Sequence, residues 1–531
     1  MKNFCKISAA GILAGISLWF SVLNAQPVLD NTFNGTGYHI TKIDPSRDDI
    51  GGTVLVQPNG RILTGGNSFN MIGYSNIAIT RMKPDGTMDN SFGTGGIATI
   101  PGGFFCDMAL LPNGKIIVAG SGVGPTNVNN YIVYRLNKNG SLDNTFGTGG
   151  SVQIDIPYTE MICTDVAIQA DNKIVLGGYA GGSGGYGNLL VVRLKANGIL
   201  DNSFGTAGKF TLYLPGKHSG CQTLAIQSDG KIIAAGYIDT LIAYAFFRYD
   251  FAAIRLNSNG TPDLAFGTAG VVRADKGTTD MCNAAVVLSD GRIALAGYTN
   301  YLVPAGFATL CLMPNGTVDN TFGTAGWQFS DFYGGTAVCQ GIVAESDDDL
   351  VLAGYAILST PAGSNYSVAL AKLSSTGIPD PGFGTGGVDT LLSGSSSLGC
   401  NSLALQADGK LVFAGYRYTG AHSAYLTGRC SNSLMRMESV ALPQNDLRFT
   451  IFPNPVNSNI LNVQLSSGIE NEINISLIDI NGQELANWQA IGPFSGNAFQ
   501  LLLPEQFPNG TYLLQVSQNN TMHVQKIAVV R

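Results

Sequence analysis

Residues Cys163–Leu214 read CTDVAIQADNKIVLGGYAGGSGGYGNLLVVRLKANGILDNSFGTAGKFTLYL. Four short runs rich in Val, Ile, Leu and aromatic residues alternate with Gly, Asn and Asp, the pattern of strands separated by turns. Strand A is expected at Cys163–Gln169, B at Lys173–Tyr179, C at Leu189–Lys195 and D at Lys209–Leu214. Between A and B, "ADN" or "SDG" implies a two-residue hairpin turn of the Asn-Gly or Asp-Gly kind with positive φ. Between C and D, "KANG" and its relatives put Gly where only Gly is comfortable.

The same stretch recurs along the chain. Relatives of "LDNSFGTAG" place phenylalanines at Phe33, Phe92, Phe146, Phe204, Phe266, Phe322 and Phe383, a period of about 58 residues. "QPNGRILTGG" to "QADGKLVFAG" and "ITRMKPDG" to "LAKLSSTG" keep the same rhythm. A four-stranded meander cannot bury both faces alone, whereas radial stacking of such sheets can. The N-terminal fragment, Leu29 to about Ile43, supplies only the Phe motif and a D strand, and the last copy, Cys400 to about Cys430, lacks D. Six complete units and two halves give an all-β, seven-bladed β-propeller of four-stranded antiparallel blades. Its N-terminal strand is expected to pair near Tyr425–Arg429 and lock the ring, leaving no stranded edge.

These motifs resemble the delta-60 repeat family, whose units combine a DGK-I-x-x-AG strand, an R-L-N strand and a D-x-S-F-G-x-x-G turn. The resemblance covers about Leu29–Arg429. Departures are local: Cys311 takes the Arg slot, Lys372 softens it, and Asp349 takes the Lys slot. The family implies a propeller-like fold and brings no catalytic residues with it.

Composition narrows the setting. Gly accounts for 69 of 531 residues, about twice the usual share, and charged residues for 12%. Lys2 and Lys6 precede an uncharged apolar run, Ile7–Leu23, and Leu23-Asn24-Ala25 offers a cleavage site, so residues 1–25 are expected to be a signal peptide. Cys5 lies before that run, which argues against a lipoprotein acyl site. Without the leader, 27 Lys and Arg face 36 Asp and Glu, a net charge of −9. No basic cluster exists, so nucleic acid is excluded as a partner. No later stretch reads as a transmembrane segment in the mature chain.

The repeat stops near Ser431, and 433–446 reads as a linker between a propeller over 26–432 and a terminal module over 447–531. Alternating Ile473, Ile475, Leu477 and Ile480, with Asn481-Gly482 as a hairpin turn, suggest a small Ig-like β-sandwich. Phe452-Pro453-Asn454-Pro455, "LIDINGQEL", "GTYLLQV" and "QKIAVV" resemble the type A C-terminal sorting domain of the type IX secretion system of Bacteroidetes. The resemblance implies the type IX machinery as partner through 447–531, and delivery by way of the periplasm to the medium or the outer cell surface.

Chemistry is hard to find. His39, His218, His422 and His523 fall at non-equivalent sites, and no nucleophile, zinc or phosphate motif appears. No catalytic residue, metal ligand or cofactor site is nominated. The repeated Asp (Asp30, Asp89, Asp143, Asp201, Asp263, Asp319, Asp380) and Arg (Arg81, Arg135, Arg193, Arg255) invite a calcium loop. One carboxylate per loop is too few ligands, so turn capping, Phe packing and an Asp–Arg pair are expected instead. Cys106, Cys163, Cys221, Cys282, Cys339 and Cys400 occupy nearly one slot at the start of strand A. Small buried thiols on a crowded inner strand are expected there, with disulfides and a thiolate metal ring as alternatives.

A–B and C–D turns lie on one face and are uniform. The B–C connections vary: "AGGSGGYGN", "IDTLIAYAFFRYDF" and "ILSTPAGSNYS". Variation on one face marks a contact surface, and Tyr244, Phe246, Phe247 and Tyr249 in the longest connection are the candidate ligand contacts. The expected function is a non-catalytic binding or scaffold propeller for an extracellular glycan or protein. The alternative is a secreted hydrolase or lyase with scattered loop residues on the variable face.

Overall fold

Strands end where Gly, Asn or Asp takes a conformation that branched residues avoid. Gly60 N–H donates to the Gln57 carbonyl and Gln57 N–H to the Arg61 carbonyl, both at 2.8 Å. Pro58-Asn59-Gly60 is therefore a type I turn followed by one left-handed residue, a three-residue connection in place of the expected two-residue turn. Only its third position has positive φ: +77° at Gly60, +63° at Asn172 and +66° at Asp348. One such residue suffices, which is why Asn and Asp can replace Gly there. The C–D turns repeat the scheme, with Gly140 N–H donating to the Asn137 carbonyl at 2.9 Å.

The computed structural model describes residues 28–69, 75–123, 129–156, 159–182, 186–243, 246–277, 279–299, 306–360, 363–392, 397–418, 420–431, 449–452, 456, 459–465, 473–479, 484–490, 498–503, 508–518 and 521–529. The expected signal peptide and linker lie outside them. The described residues are all-β, and none of their helices is long and apolar enough to cross a membrane. The chain divides into two compact units, Met1–Arg436 and Met437–Arg531.

In the first unit the described strands form seven four-stranded antiparallel sheets, none closed on itself. The third is typical, with strands Glu160–Ile168, Ile174–Gly182, Tyr186–Leu194 and Lys209–Thr211 in that order. The last in sequence draws on both ends of the repeat region. Leu398–Leu405, Leu411–Tyr418 and Ser423–Cys430 are completed by Tyr38–Thr41, which pairs Tyr38 with Gly428 and Thr41 with Tyr425. The A strands are Asp48–Val56, Phe104–Leu110, Glu160–Ile168, Ser219–Ile226, Asp280–Val287, Thr336–Ala344 and Leu398–Leu405. Each packs against the A strand of the next sheet, and Asp48–Val56 also packs against Leu398–Leu405. Apolar side chains fill the space between sheets, as where Ile117, Ala119 and Val133 meet Met161, Cys163 and Val166.

The B–C connections correct the loop reading. Ile232–Ala243 and Phe246–Leu256 run as one long hairpin, pairing Leu241 with Phe247. Leu350–Thr360 and Gly363–Leu373 do likewise, pairing Thr360 with Gly363. Ile174–Gly182 and Tyr186–Leu194 continue the pairing to Gly182 and Tyr186. Extended pairing satisfies the backbone groups of these segments.

In the second unit, Phe449–Phe452, Ile460–Leu465 and Ala498–Leu502 form one sheet. Glu484–Ala490, Ile473–Ile478, Gly510–Gln518 and Thr521–Val529 form another. Val463, Ile475, Leu477, Leu501, Leu514, Val516 and Ile527 share one core between them.

Candidate functional site

The repeated Asp, Arg and Phe build a staple. In the second sheet Asp143 Oδ1 accepts from the Thr145 amide at 3.2 Å and its hydroxyl at 2.7 Å, capping the turn. Asp143 Oδ2 takes Arg135 Nε and Lys115 Nζ, each at 2.6 Å. The Arg135 guanidinium lies 4.7 Å from the centroid of the buried Phe146 ring, and its other arm donates to the Ala196 carbonyl of the next sheet at 2.7 Å. Arg81, Arg193 and Arg255 repeat this with Lys138, Ser258 and Pro314 as carbonyl acceptors. These motif residues hold neighbouring sheets together, and each Asp is occupied by its own chain.

One staple is assembled from both ends of the repeat region. Arg429 Nε donates to Asp30 Oδ2 at 2.8 Å, Lys410 lies 3.1 Å from the same oxygen, and Arg429 reaches the Pro84 carbonyl at 2.6 Å. Burial works to raise the Asp30 carboxyl, but the Thr32 hydroxyl and amide, Lys410 and Arg429 outweigh it and hold it at about 2. The departures in sequence are compensated. Where Cys311 replaces Arg, Arg292 from strand B reaches Asp319 at 3.2 Å and the Ser375 carbonyl at 2.8 Å. Lys372 stands 3.8 Å from Asp380 and 2.6 Å from Glu345.

The seven A strands line a cavity of about 450 Å³. Each carries a β-bulge at one equivalent point, at Gly52, Cys106, Thr164, Gln222, Asn283, Gln340 and Asn401. A bulge leaves backbone groups outside the ladder. Neighbouring sheets supply partners: Val166 N–H donates to Asp107 Oδ2 at 3.1 Å, Leu224 N–H to Asp165 Oδ2 at 2.5 Å, and Val54 N–H to the Ser402 hydroxyl at 3.1 Å. Thr53 gives its hydroxyl to Asp107 Oδ1 at 2.5 Å. Burial, then the neighbouring Asp165, pushes the Asp107 carboxyl well above its ordinary value. Sequence reading missed this carboxyl pair, because Asp107 and Asp165 belong to different repeats.

The bulge also corrects the cysteine alignment. Cys163, Cys221, Cys282, Cys339 and Cys400 pair with Gly178, Gly236, Gly297, Gly354 and Gly415. In the second sheet Phe105 takes that slot opposite Gly120, and Cys106 falls on the bulge. The signal was present in the spacing: Cys106 stands nine residues before Lys115, whereas Cys163 stands ten before Lys173.

The candidate contacts sit on the long hairpin of the fourth sheet. Tyr244 lies outside the described residues. Phe246, Phe247 and Tyr249 are on the strand Phe246–Leu256, and the half-buried Tyr249 ring meets Tyr237 edge-on at 5.0 Å. Groups unforeseen in the sequence surround that hairpin. His218 Nδ1 lies 2.5 Å from the buried Asp239 Oδ2. Asp250, Asp275 and Asp280 approach within 4.8 Å of one another, with Arg248 on Asp275 at 2.6 Å and Arg273 on Asp250 at 2.5 Å. Apart from that hairpin, on the A–B turn between Thr336–Ala344 and Leu350–Thr360, Glu345, Asp347 and Asp349 form a second acidic group. Lys276 Nζ stands 5.2 Å from the Trp327 ring, which stacks parallel to a partly exposed Phe329 at 6.0 Å.

Two family models match the chain. The secretion system C-terminal sorting domain covers residues 450–530. The domain of unknown function (DUF5122) beta-propeller matches at 57–92, 111–146, 169–204, 227–266 and 288–322. The chain carries β-propeller repeats and a type IX sorting tail. This propeller-repeat protein thus carries a tail that directs it to the cell surface or the extracellular space. No curated protein matches it. Among solved structures it is similar to PorZ, a surface component of the type IX secretion system of Porphyromonas gingivalis, at 11% identity and a TM-score of 0.35. That match covers 90% of this chain, which spans 59% of PorZ. It is also similar to an alpha-L-arabinanase of Penicillium chrysogenum, at 11% identity and a TM-score of 0.38, over 62% of this chain and 96% of the enzyme.

Proposed function

We propose that the protein is a non-catalytic binding propeller, secreted or held at the outer surface, that contacts an extracellular glycan or protein through the variable face of its sheets. In this reading residues 26–432 form one closed ring of seven blades after removal of a signal peptide over 1–25. A linker over 433–446 then leads to an Ig-like sorting sandwich over 447–531. The pairing of Tyr38–Thr41 with Ser423–Cys430 and the packing of Asp48–Val56 against Leu398–Leu405 support the ring.

The observation that carries the binding role is the contrast between faces. One face repeats the same three-residue turns, while the other projects B–C hairpins of unequal reach, the longest with strands of 12 and 11 residues. An aromatic and charged rim at that hairpin, with Tyr249, Phe329 and Lys276, suits a sugar face or a protein surface. A glycan and protein binding screen on the exported protein tests it. Replacing Tyr244 and Phe247 together by alanine should weaken the interaction found. Unchanged binding would assign the contact elsewhere and favour a scaffold role.

The hydrolase or lyase reading has one observation in its favour, the His218–Asp239 pair near the same rim. The Asp107 and Asp165 oxygens are committed to Thr53, Val166 and Leu224, which argues against their use as a catalytic pair. Polysaccharide turnover abolished by His218→Ala would decide for an enzyme.

A further inference from the structure

We infer that Cys106 and Cys163 form a disulfide that ties the second sheet to the third across the inner edge of the repeat unit. Bulge side chains point forward to the next sheet. Thr164 donates to the Cys221 carbonyl at 2.8 Å, Asn283 to the Cys339 carbonyl at 2.9 Å, and Asn401 to the Gly51 carbonyl at 2.8 Å. In each case the target is the residue in the cysteine slot of the following sheet. Cys106 is the bulge residue of the second sheet, and the corresponding target is Cys163.

The slot thiols face the other way. A methyl group built on Gly177, in strand B of the third sheet, would stand 2.7 Å from the Cys221 sulfur, so Cys221 points back at the preceding sheet. Cys163, in the equivalent position, points back at the second. One hydroxyl lies between the two residues: Ser121 Oγ is 3.7 Å from the Cys106 sulfur and accepts from the Cys163 amide at 3.0 Å. Burial, and after it the neighbouring Cys106 thiol, pushes the Cys163 thiol well above its ordinary value. For the other four slot cysteines the preceding bulge holds Thr164, Gln222, Asn283 or Gln340, none of them a cysteine. The one-residue shift that displaced Cys106 is what creates a pair.

Both sulfurs are free thiols in this structure, Cys106 partly exposed and Cys163 buried. The export route takes the chain into compartments where disulfides persist. The oxidant required is itself a disulfide, either a small molecule or a thiol–disulfide exchange protein. The Cys106 thiolate, its proton lost to solvent, attacks one oxidant sulfur and expels the other as a thiol. The Cys163 thiol then gives up its proton and attacks the Cys106 sulfur, breaking the mixed disulfide and releasing the second oxidant thiol. Two protein thiols are oxidised and one oxidant disulfide is reduced.

The test uses the full exported chain, treated with glutathione disulfide, unfolded in guanidinium and alkylated before or after reduction. The expected result is two fewer alkylated cysteines without reduction, and a cross-linked peptide pair containing Cys106 and Cys163. Cys106→Ser should free Cys163 for alkylation, while Cys221→Ser should leave the cross-link intact. Equal alkylation before and after reduction, or a cross-link joining other cysteines, overturns the proposal. If Cys106→Ser fails to fold, peptide mapping of the unmodified chain decides alone.

Discussion

Replacing Asp30 by asparagine removes one charge from the staple assembled from both ends of the repeat region. Asparagine keeps the shape and can still accept from the Thr32 amide, so the change isolates the interaction with Arg429 and Lys410. The Asp30 carboxyl sits at about 2 when folded, against an ordinary 3.8. A depression of that size corresponds to about 2 kcal/mol of stability at neutral pH. Because the folded value is the lower one, this contribution is complete above pH 3.8 and fades as pH falls toward about 2. Asparagine keeps the Thr32 contacts that supply part of that depression, so guanidinium unfolding of parent and variant should differ by less than about 2 kcal/mol at pH 7, with the gap closing in acid. The loss should also be local. Amide exchange along Tyr38–Thr41, which pairs with Ser423–Cys430, should accelerate in the variant. An Asp408→Asn control, at a largely exposed carboxylate that touches Lys410, should change neither readout. Unaltered exchange along Tyr38–Thr41 with unaltered stability would refute the view that this staple fastens the two ends.

Four further outcomes follow from the same geometry. Phe146→Ala empties the space beneath Arg135 and Gly198 and should cost about 3–5 kcal/mol in chemical denaturation. Arg292→Met strips Asp319 of its cation and should destabilise by about 3 kcal/mol, part of which Cys311→Arg on the same background should restore by returning the motif to its usual form. Folding raises the Asp107 carboxyl, so it opposes stability increasingly as pH climbs above 3.8 toward the folded value, and Asp107→Asn should flatten that part of the stability profile. Deleting residues 447–531 should leave the chain in the periplasm rather than at the surface or in the medium, as read by cell fractionation.

What was legible in the sequence was whatever the repeats held in common. Seven copies of the Phe motif announced the strands, turns and sheet order, because each copy must solve the same packing problem with the same residues. The Asp–Arg–Phe staple was half legible. Its residue types were visible, but not that Arg135 reaches the next sheet at Ala196, since a contact between repeats has no spacing of its own inside one repeat. The long hairpin at Ile232–Ala243 and Phe246–Leu256 was misread for the opposite reason: an insertion in a single copy has no sister copies to show its period.

The most informative residues are therefore those where one copy departs from its sisters and a neighbour answers. Arg292 keeps the contact with Asp319 that Lys115 makes with Asp143, and it also takes over the carbonyl of the next sheet, at Ser375, that the Arg in the Cys311 slot would have held. The Phe105–Cys106 shift has its answer in the glycines beside it. Methyl groups built on Gly52 and Gly65 would stand 2.9 and 2.6 Å from the Phe105 ring, so the first sheet leaves room for that side chain. An accidental slip would have left a clash there, whereas the ring is accommodated and the displaced thiol lines the cavity. Gly65→Ala should destabilise the chain, and Phe105→Cys on that background should recover the loss, as seen in the thermal unfolding midpoint. Recovery would show that the second sheet's departure is built into its neighbour. Failure to recover would mean that Gly65 serves something other than the Phe105 ring.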